Sequence, residues 1–278
     1  MNAVTIGKFD GFHKGHQKLL QEMLKTDVDE TIVCKIDFPG AGLLTRQEQE
    51  DYLKQLGIQR LVRLPFTKEF AGKTPEEFVR QVLVEELDAR HVIVGSDFRF
   101  GCNRIGNVET LSMLGKHYGF QVHSVDKLQM DGDPVSSTRI RAAYEAGEIE
   151  TAERLLGHEI TFSGVVLHGK KQGRTIGFPT VNLVPGEEKL LPAFGAYGTS
   201  VTTPFGEFRA IANIGIRPTF DDGDQVTIEA HLKDFDGDLY DQKIRIRLLT
   251  YLRPERHFDS VEDLQQQIQK DLIFFDFT

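Results

Sequence analysis

A change of pattern near residue 157 is the sequence feature that most constrains how this chain can fold. Before it, short β-rich runs alternate with longer amphipathic segments, which is the pattern of βα units around a parallel sheet. After it, strand-like runs follow one another, separated by turns rich in Gly, Pro and Asp. We therefore predict an α/β parallel-sheet domain over residues 1–157 and a small antiparallel β-barrel with a C-terminal helix over residues 158–278.

The predicted elements follow these two patterns. In the first domain we predict five strands, at residues 3–6, 31–38, 60–64, 91–94 and 121–125. The segments between and after them are predicted to be helices, at 16–24, 46–56, 75–87, 108–118, 137–146 and 149–156. In the second domain we predict strands at 160–167, 180–183, 196–202, 208–213, 226–232 and 243–252, and a final helix at 260–272.

Composition limits the class of protein. The chain has 278 residues, of which 40% are hydrophobic and 27% charged, and its formal net charge is −9. Because general nucleic-acid binding depends on clustered Lys and Arg, this charge argues against a nucleic-acid partner. No stretch approaches the roughly 18 to 20 apolar residues of a membrane span. We expect a cytoplasmic enzyme or binding protein with no membrane partner, and the sequence leaves homo-oligomer formation open.

Residues 7–16 form the first candidate site. A strand ends just before them and a helix begins near His13, so backbone N–H groups and the helix dipole can receive an anion. His13 and His16 are three residues apart and share a helix face, where two imidazoles can donate hydrogen bonds to a triphosphate. We predict a nucleotide-phosphate site made by Gly7, Asp10, Gly11, His13, Gly15 and His16. The alternative is a pair of surface or capping histidines.

A second constellation follows at residues 135–141. Ser or Thr at a helix start can cap exposed amides and bind phosphate, and Arg139 or Arg141 can neutralise a leaving group. The alternative is a well-capped surface helix, and these residues alone leave the two open. A sheet domain that offers two helix N-termini to one triphosphate favours nucleotidyl transfer over simple capping.

The second domain carries a Gly-rich basic loop followed by a Pro-Thr-x-Asn sequence. Backbone amides and cations of the loop can cover a polyphosphate, and they come from Gly169, Lys170, Lys171, Gly173, Arg174 and Gly177. Thr180 and Asn182 lie on one side of a strand, where neutral oxygens suit Mg²⁺ that phosphates and water also hold. The order of a Walker A motif is absent, so no P-loop fold is implied. The alternative is an ordinary hairpin.

Glu229 is a further candidate in the second domain. In an alternating strand it shares a face with Thr227 and His231. Its carboxylate can therefore be aimed at an alcohol, and a hydroxyl that attacks a γ-phosphoryl group needs a proton acceptor. The alternative is a solvated carboxylate on a strand surface.

Taken in order, these motifs resemble those of the prokaryotic bifunctional riboflavin kinase/FMN adenylyltransferase (FAD synthetase) family. The adenylyltransferase module of that family looks like residues 9–16, 95–101 and 136–141. Its riboflavin kinase barrel is similar to residues 164–183, 213–220, 227–240 and 251–255. The resemblance spans nearly the whole chain. It implies a nucleotidyltransferase (Rossmann-like) domain followed by a riboflavin-kinase-like barrel, with riboflavin, FMN, FAD and ATP as substrates or products and Mg²⁺ as the metal.

The resemblance also implies roles for single residues. In the first domain, Phe9 joins the residues that bind ATP, and the triphosphate site is completed by Ser137, Thr138 and Arg141. Asp97 and Phe98 shape a pocket for the nucleotide and flavin. In the second domain, the Gly-rich loop covers ATP together with Phe178 and Pro179. Mg²⁺ is bound by Thr180 and Asn182, and Glu229 is the base for the terminal ribityl hydroxyl.

Two places in the first domain depart from the pattern of the family, and in the second domain Val181 and Asp241 replace the commoner Ala and Gly. After the second strand the chain reads Phe38-Pro39-Gly40-Ala41-Gly42 where the family commonly has Phe-x-Pro-His-Pro, and Lys8 replaces a residue that is often small and polar. Three hypotheses follow. The first is an enzyme that phosphorylates riboflavin to FMN and adenylylates FMN to FAD. The others are a paralogue with one active module, for which the kinase is favoured, and a flavin-nucleotide-binding regulatory protein.

Overall fold

The computed structural model describes residues 1–168, 180–219, 223–256, 258 and 260–276. The chain divides into two compact units, Met1–Ser137 and Thr138–Thr278. Two helices that the sequence pattern groups with residues 1–157 fall in the second unit by this division. The functional boundary between the domains stays a prediction.

The first unit is built on a parallel sheet of five strands. They are β1 (Asn2–Gly7), β2 (Glu30–Asp37), β3 (Arg60–Pro65), β4 (Ala89–Gly95) and β5 (Gln121–Val125). Their order is β3-β2-β1-β4-β5, and every neighbouring pair is parallel. The predicted α/β parallel sheet is confirmed. Because the strand order reverses between β1 and β4, a ligand is expected beyond the carboxyl ends of these two strands.

Helices connect these strands. They are α1 (Lys14–Met23), α2 (Arg46–Gln55), α3 (Lys68–Gly72), α4 (Pro75–Phe78) and α5 (Val108–Tyr118). The segment predicted as one helix at 75–87 begins as α4 and continues as a π-helix over Val79–Glu86. A capping box starts it, in which Thr74 Oγ1 accepts from the Glu77 N–H at 3.2 Å. Helix α3 was not predicted, because its five residues are too few to show a periodic pattern.

Apolar side chains cover both faces of the sheet, as expected for parallel strands buried between helices. On one face Ala3 and Ile93 pack with residues of α1 and α2. On the other, Val4 and Val92 pack with the π-helical segment and α5. A short hairpin, β6 (Gln129–Met130) and β7 (Asp133–Pro134), follows β5 in the chain. Loops at the carboxyl edge of the sheet are therefore the part of this unit that can form a site.

The second unit is a six-stranded antiparallel sheet with helices before and after it. The helices are α6 (Ser137–Glu145), α7 (Ile149–Leu156) and α8 (Val261–Asp276). The strands are β8 (Thr161–Val165), β9 (Thr180–Leu183), β10 (Gly195–Thr203), β11 (Gly206–Thr219), β12 (Gly223–Leu232) and β13 (Lys243–Pro254). Their order is β8-β13-β10-β11-β12-β9, and all neighbours are antiparallel.

This sheet curls into a half-barrel. Its two ends approach each other where the Leu167 N–H, just after β8, donates to the Asn182 carbonyl in β9 at 3.0 Å. Helix α8 packs on β10, where Gly198 makes room because any side chain there would overlap the Phe275 ring. The predicted antiparallel barrel with a C-terminal helix is confirmed.

Membrane helices and metal clusters are two features that the described residues do not contain. No described helix is both long and apolar enough to cross a membrane. Nor do the described residues include a group of three or more His, Cys, Asp or Glu side chains that could hold a metal ion. Cys34 is a free thiol in the core, and burial raises its pKa to about 12, so it is not a nucleophile at neutral pH.

Candidate active sites

The turn between β1 and α1 shapes the first site. Phe9, Gly11 and Phe12 all have positive φ, at 45°, 77° and 44°. For the two phenylalanines this left-handed backbone is strained, and burial of both rings, which stack at 5.5 Å, offsets the cost. The turn places His13 at the N-cap of α1.

A cavity of about 260 Å³ opens at the carboxyl edge of the parallel sheet. Its walls come from the ends of β1, β4 and β5, from α1, and from the segment before α6. This is the edge where the strand order reverses. The predicted site residues that line it are Gly7, Phe9, His13, Gly15, His16, Asp97, Phe98 and Ser137.

His13 and His16 form a stacked pair in this cavity. The Nδ1 atom of His13 accepts a hydrogen bond from the His16 N–H at 3.3 Å. The two ring centroids are 3.6 Å apart and the rings are inclined by 17°. The capping alternative therefore describes His13 in part, because the same ring caps α1 and lines the cavity.

One ring nitrogen of His16 lacks a partner. Its Nδ1 is buried and has no hydrogen-bond partner among the described residues. Burial lowers the pKa of His16 well below its usual value, and the neighbouring His13 lowers it further. Buried polar atoms are almost always hydrogen-bonded in folded proteins. An unpartnered nitrogen in a cavity wall is therefore a group that a ligand can satisfy.

Asp10 and Gly11 shape the turn and are not among the cavity-lining residues. The Asp10 carboxylate accepts a hydrogen bond from the Leu43 N–H at 3.0 Å. The Ser137 hydroxyl donates to the Asp10 carbonyl at 3.3 Å. Thr138 and Arg141, predicted for the triphosphate site, lie on α6 in the second unit.

The loop after β4 contributes Asp97 and Phe98. Without the family resemblance, residues 97–101 are also consistent with a tight turn that carries two aromatic rings. That turn is present, since the Phe98 N–H donates to the Gly95 carbonyl at 2.9 Å and the Phe98 and Phe100 rings stack. The turn also places both predicted residues in the cavity wall. Asp97 Oδ2 lies 2.7 Å from Nζ of Lys127, which follows β5 and lines the same cavity. Sequence reasoning assigned Lys127 no role, although residues after a parallel strand end lie at the ligand edge.

Strand register brings the predicted kinase residues together. Glu229 of β12 pairs with Asn182 of β9 on one side and with Asn213 of β11 on the other. Thr180 pairs with His231, two residues along both strands. Directly opposite residues of antiparallel strands share a face and have Cβ atoms roughly 5 Å apart. Thr180, Asn182 and Glu229 are therefore neighbours on one face of the half-barrel.

Asn182 contributes a buried amide oxygen to this group. Its Oδ1 is buried and has no hydrogen-bond partner among the described residues. Glu229 is partly buried, which distinguishes it from the fully solvated carboxylate of the alternative. An amide oxygen without a donor, on the same face as the Thr180 hydroxyl, suits a small hard cation.

A second cavity, of about 590 Å³, is bounded by β9 and the loop after β12. Thr180 lines it, whereas Asn182 and Glu229 are not among its lining residues. The loop supplies most of the wall, through Phe235, Asp236, Gly237, Asp238, Leu239 and Tyr240. Sequence reasoning assigned these loop residues no individual role. The available signal was the Asp-Gly-Asp sequence, which marks a turn between two strands.

His168 adjoins the same loop. Its ring stacks on Tyr240 with centroids 4.3 Å apart, and its Nε2 lies 3.3 Å from Asp241 Oδ2. The Gly-rich loop begins at the next residue. The predicted loop residues lie outside the described residues, namely Gly169, Lys171, Gly173, Arg174, Gly177, Phe178 and Pro179.

The two places in the first domain that depart from the pattern of the resembled family contact each other. Lys8 Nζ lies 4.5 Å from the centroid of the Phe38 ring, which in turn packs on Phe66 at 4.5 Å. At the other end of the segment, a Cβ on Gly42 would lie 3.5 Å from the Asp10 carboxylate. The altered segment is therefore packed at both ends against the loop after β1.

Two family models match the chain. One described as FAD synthetase matches residues 1–139, and one described as riboflavin kinase matches residues 156–275. The first match includes the cavity at the parallel sheet, up to Ser137. The second includes the strands that bring Asn182 and Glu229 together.

Curated relatives match almost the whole chain. A bifunctional riboflavin kinase/FMN adenylyltransferase from Pseudomonas fluorescens is 36% identical over 284 residues, covering 97% of this chain and 90% of that protein. Proteins of the same name from Escherichia coli strain K12 and Listeria monocytogenes are 36% and 34% identical, with the same coverages. A crystal structure described as a macrolide-efflux protein from Streptococcus pneumoniae has a TM-score of 0.87 and 31% identity, covering 99% of this chain and 93% of that one.

Both modules are matched in one chain and in the order of the motifs. The relatives that carry both activities in their name align over nearly their full length. These matches support the bifunctional hypothesis and not the single-module or regulatory alternatives. The chain therefore belongs to the bifunctional riboflavin kinase/FMN adenylyltransferase family.

Proposed function

We propose that this chain makes FAD from riboflavin in two ATP-dependent steps. Residues 158–278 phosphorylate riboflavin, and residues 1–157 adenylylate the resulting FMN. The observation that carries the proposal is a buried polar atom at each predicted site, Nδ1 of His16 and Oδ1 of Asn182, for which the described part of the chain provides no hydrogen-bond partner. The use of ATP in both steps supports a cytoplasmic location.

In the adenylyl step, an oxygen of the FMN phosphate attacks the α-phosphorus of ATP. A new P–O bond forms, the bond to the β-phosphate oxygen breaks, and pyrophosphate leaves with the added negative charge. The first turn of α1 offers backbone N–H groups and the positive end of its dipole to that charge. Because Nδ1 of His13 accepts a hydrogen bond, a neutral His13 carries its proton on Nε2, from which it can donate to phosphate. Ser137, Thr138 and Arg141 complete the triphosphate site in this proposal.

In the kinase step, the terminal ribityl hydroxyl of riboflavin attacks the γ-phosphorus of ATP. Glu229 accepts the hydroxyl proton, the bond to the β-phosphate oxygen breaks, and ADP leaves. The strand is paired on both sides at Glu229, with Asn182 and Asn213. This pairing fixes the backbone of the base, so its carboxylate is held ready for one substrate orientation.

Mg²⁺ is the metal we propose for the kinase site, with Thr180 and Asn182 as its protein ligands. The Asn182 Oδ1 atom fits this role because it is buried and the described residues offer it no hydrogen-bond donor. Both oxygens are neutral, which suits a cation whose charge the ATP phosphates balance. When bound, the metal neutralises charge on the transferring phosphates.

Purified protein incubated with riboflavin, ATP and Mg²⁺ tests the proposal, with the flavins separated by chromatography. We expect FMN to form first and FAD to follow. FMN alone would indicate that only the kinase is active, and unchanged riboflavin would indicate a binding protein. Supplying FMN in place of riboflavin measures the adenylyl step by itself.

A further inference from the structure

Lys127 places a positive charge in the wall of the 260 Å³ cavity at the carboxyl edge of the parallel sheet, the cavity proposed for adenylyl transfer. Its Nζ lies 2.7 Å from Asp97 Oδ2, and both side chains are about half exposed, at 48% and 61%. Within Met1–Ser137, all of which the structure describes, it is the only lysine or arginine among the residues that line this cavity. The charged residues beside it in the lining are carboxylates, Asp97 and Asp126.

The reaction proposed for this cavity brings two anions together. FMN carries a phosphate monoester and ATP a triphosphate, and the two must approach within bonding distance. His16 does not offset this charge, because burial lowers its pKa and keeps its ring neutral. Backbone amides and a helix dipole supply only partial charges. Arg141, proposed for the triphosphate site, adds one full positive charge, and a second one among the cavity-lining residues would lower the repulsion between the two substrates further.

We propose that Lys127 binds a phosphate group of the adenylyl-transfer substrates, releasing Asp97 to do so. The inference rests on the proposed function of this cavity. An ion pair whose two side chains are half exposed to solvent contributes little, so Asp97 competes only weakly with a phosphate for the ammonium group. The long lysine stem can carry its charge from the carboxylate to a phosphate. The phosphate is either that of FMN or one of ATP, and the two sources can be separated by kinetics.

A neighbouring lysine provides a matched control. Lys18 Nζ, on α1, donates to the Asp126 carbonyl at 2.9 Å. It therefore contacts the loop after β5, which also carries Lys127. Lys18 is not among the residues that line the cavity. Lys18→Met therefore removes a lysine that supports the loop but does not face the substrates.

The test measures the two activities of the full chain with Lys127→Met and Lys127→Arg. We expect Lys127→Met to raise the KM of one phosphate substrate of the adenylyl step about tenfold, with Lys127→Arg within about threefold of wild type. A rise for FMN assigns the monoester, and a rise for ATP assigns the triphosphate. FMN formation from riboflavin should be unchanged, which shows that the second unit is folded, and FAD formation at saturating FMN and ATP shows that the first unit is folded. If wild type makes FAD from FMN and the Lys127→Met variant does so with the same KM values, the inference is wrong. Wild type that makes no FAD from FMN would instead overturn the proposed function.

A double-mutant cycle separates phosphate binding from simple support of Asp97. If Lys127 binds phosphate, Lys127→Met still raises the KM when it is introduced into the Asp97→Asn chain. If it only holds Asp97, the double variant behaves like Asp97→Asn alone, and the inference is wrong. Lys18→Met should stay within about twofold of wild type in the adenylyl step. An equal loss in Lys18→Met would assign the effect to the loop and also reject the inference.

Discussion

The two units of this chain build their candidate sites in different ways. In the first unit, one short stretch from Gly7 to His16 supplies a strand end, a strained turn and the start of a helix. In the second, Asn182 and Glu229 lie far apart in sequence and meet only because β9 and β12 pair in one register. The first candidate site depends on a local backbone shape that presents amides and two neighbouring histidine rings, whereas the second depends on side chains aligned across strands. Substitutions should therefore separate the two activities cleanly.

Glu229→Gln should have the largest effect, on the kinase step. The amide keeps the size of the side chain but cannot accept the hydroxyl proton, and a positioned base contributes roughly 10²- to 10⁴-fold. We expect kcat for FMN formation to fall by that order, with FAD formation from FMN unchanged. Glu207→Gln is the matched control, because Glu207 is an exposed carboxylate on the neighbouring strand β11. Full kinase activity in Glu229→Gln would remove Glu229 from the mechanism.

His16→Ala should have the next largest effect, on the adenylyl step. A donor that stabilises developing charge contributes roughly 10²- to 10³-fold, and we expect FAD formation from FMN to fall by that order. FMN formation from riboflavin should persist. His117→Ala, at an exposed histidine of α5, should leave both steps intact. Undiminished FAD formation in His16→Ala would show that the phosphates bind elsewhere.

Gly15→Ala tests the local geometry of the first site. A Cβ there would lie 3.1 Å from Cε1 and Nδ1 of His13, so the ring must shift by a few tenths of an ångström. We expect a roughly tenfold loss of adenylyl transfer, below the 10²-fold cost of a 1 Å misplacement. The free energy of unfolding should change by less than about 1 kcal/mol, because alanine is more favourable than glycine in a helix and this gain offsets part of the strain. The control is Gly72→Ala, where a Cβ meets nothing within 4 Å.

The pH dependence of stability gives the smallest expected effect. The pKa of His16 is lowered in the folded chain, so between that value and about 6.5 the unfolded chain binds a proton that the folded chain does not. Stability should therefore fall as the pH drops below about 6.5, by at most about 1.4 kcal/mol per pH unit for this group. The pKa of His123 is also lowered, mainly by burial. The contribution of His123 to the pH dependence of stability therefore remains in a His16→Gln chain. Hydrogen exchange of β1 amides in the two proteins should show a shallower pH slope for His16→Gln, and identical slopes would contradict the assignment.

Local sequence signals account for much of the fold. Helix α5 occurs at its predicted bounds because Asn107 caps its start and Gly119, with φ of 81°, ends it in a left-handed residue. Strand β5 also has its predicted bounds. The contiguous motif at His13 and His16 likewise predicted a pair of rings on one face, and the rings stack in the cavity wall.

Features that depend on long-range packing were harder to predict. The apolar residues of the π-helix at Val79–Glu86 have the spacing of an ordinary helix, and this spacing predicts an α-helix. The Asp97–Lys127 ion pair joins the ends of two strands, and neither local sequence indicates that these two residues pair. The large cavity of the second unit depends on a turn after β12 that only the curled sheet positions. Motifs therefore predicted which residues come together at each candidate site, and register and loop packing decided which neighbours join them.

Mixing two single-site variants tests directly whether one chain carries two separable activities. His16→Ala and Glu229→Gln are each incubated with riboflavin, ATP and Mg²⁺, alone and together. We predict FMN without FAD from His16→Ala, almost no product from Glu229→Gln, and FAD from the mixture, because FMN made by one variant can diffuse to the other. If the mixture makes no FAD, or if His16→Ala also loses FMN formation, the two steps do not belong to the separate sites described.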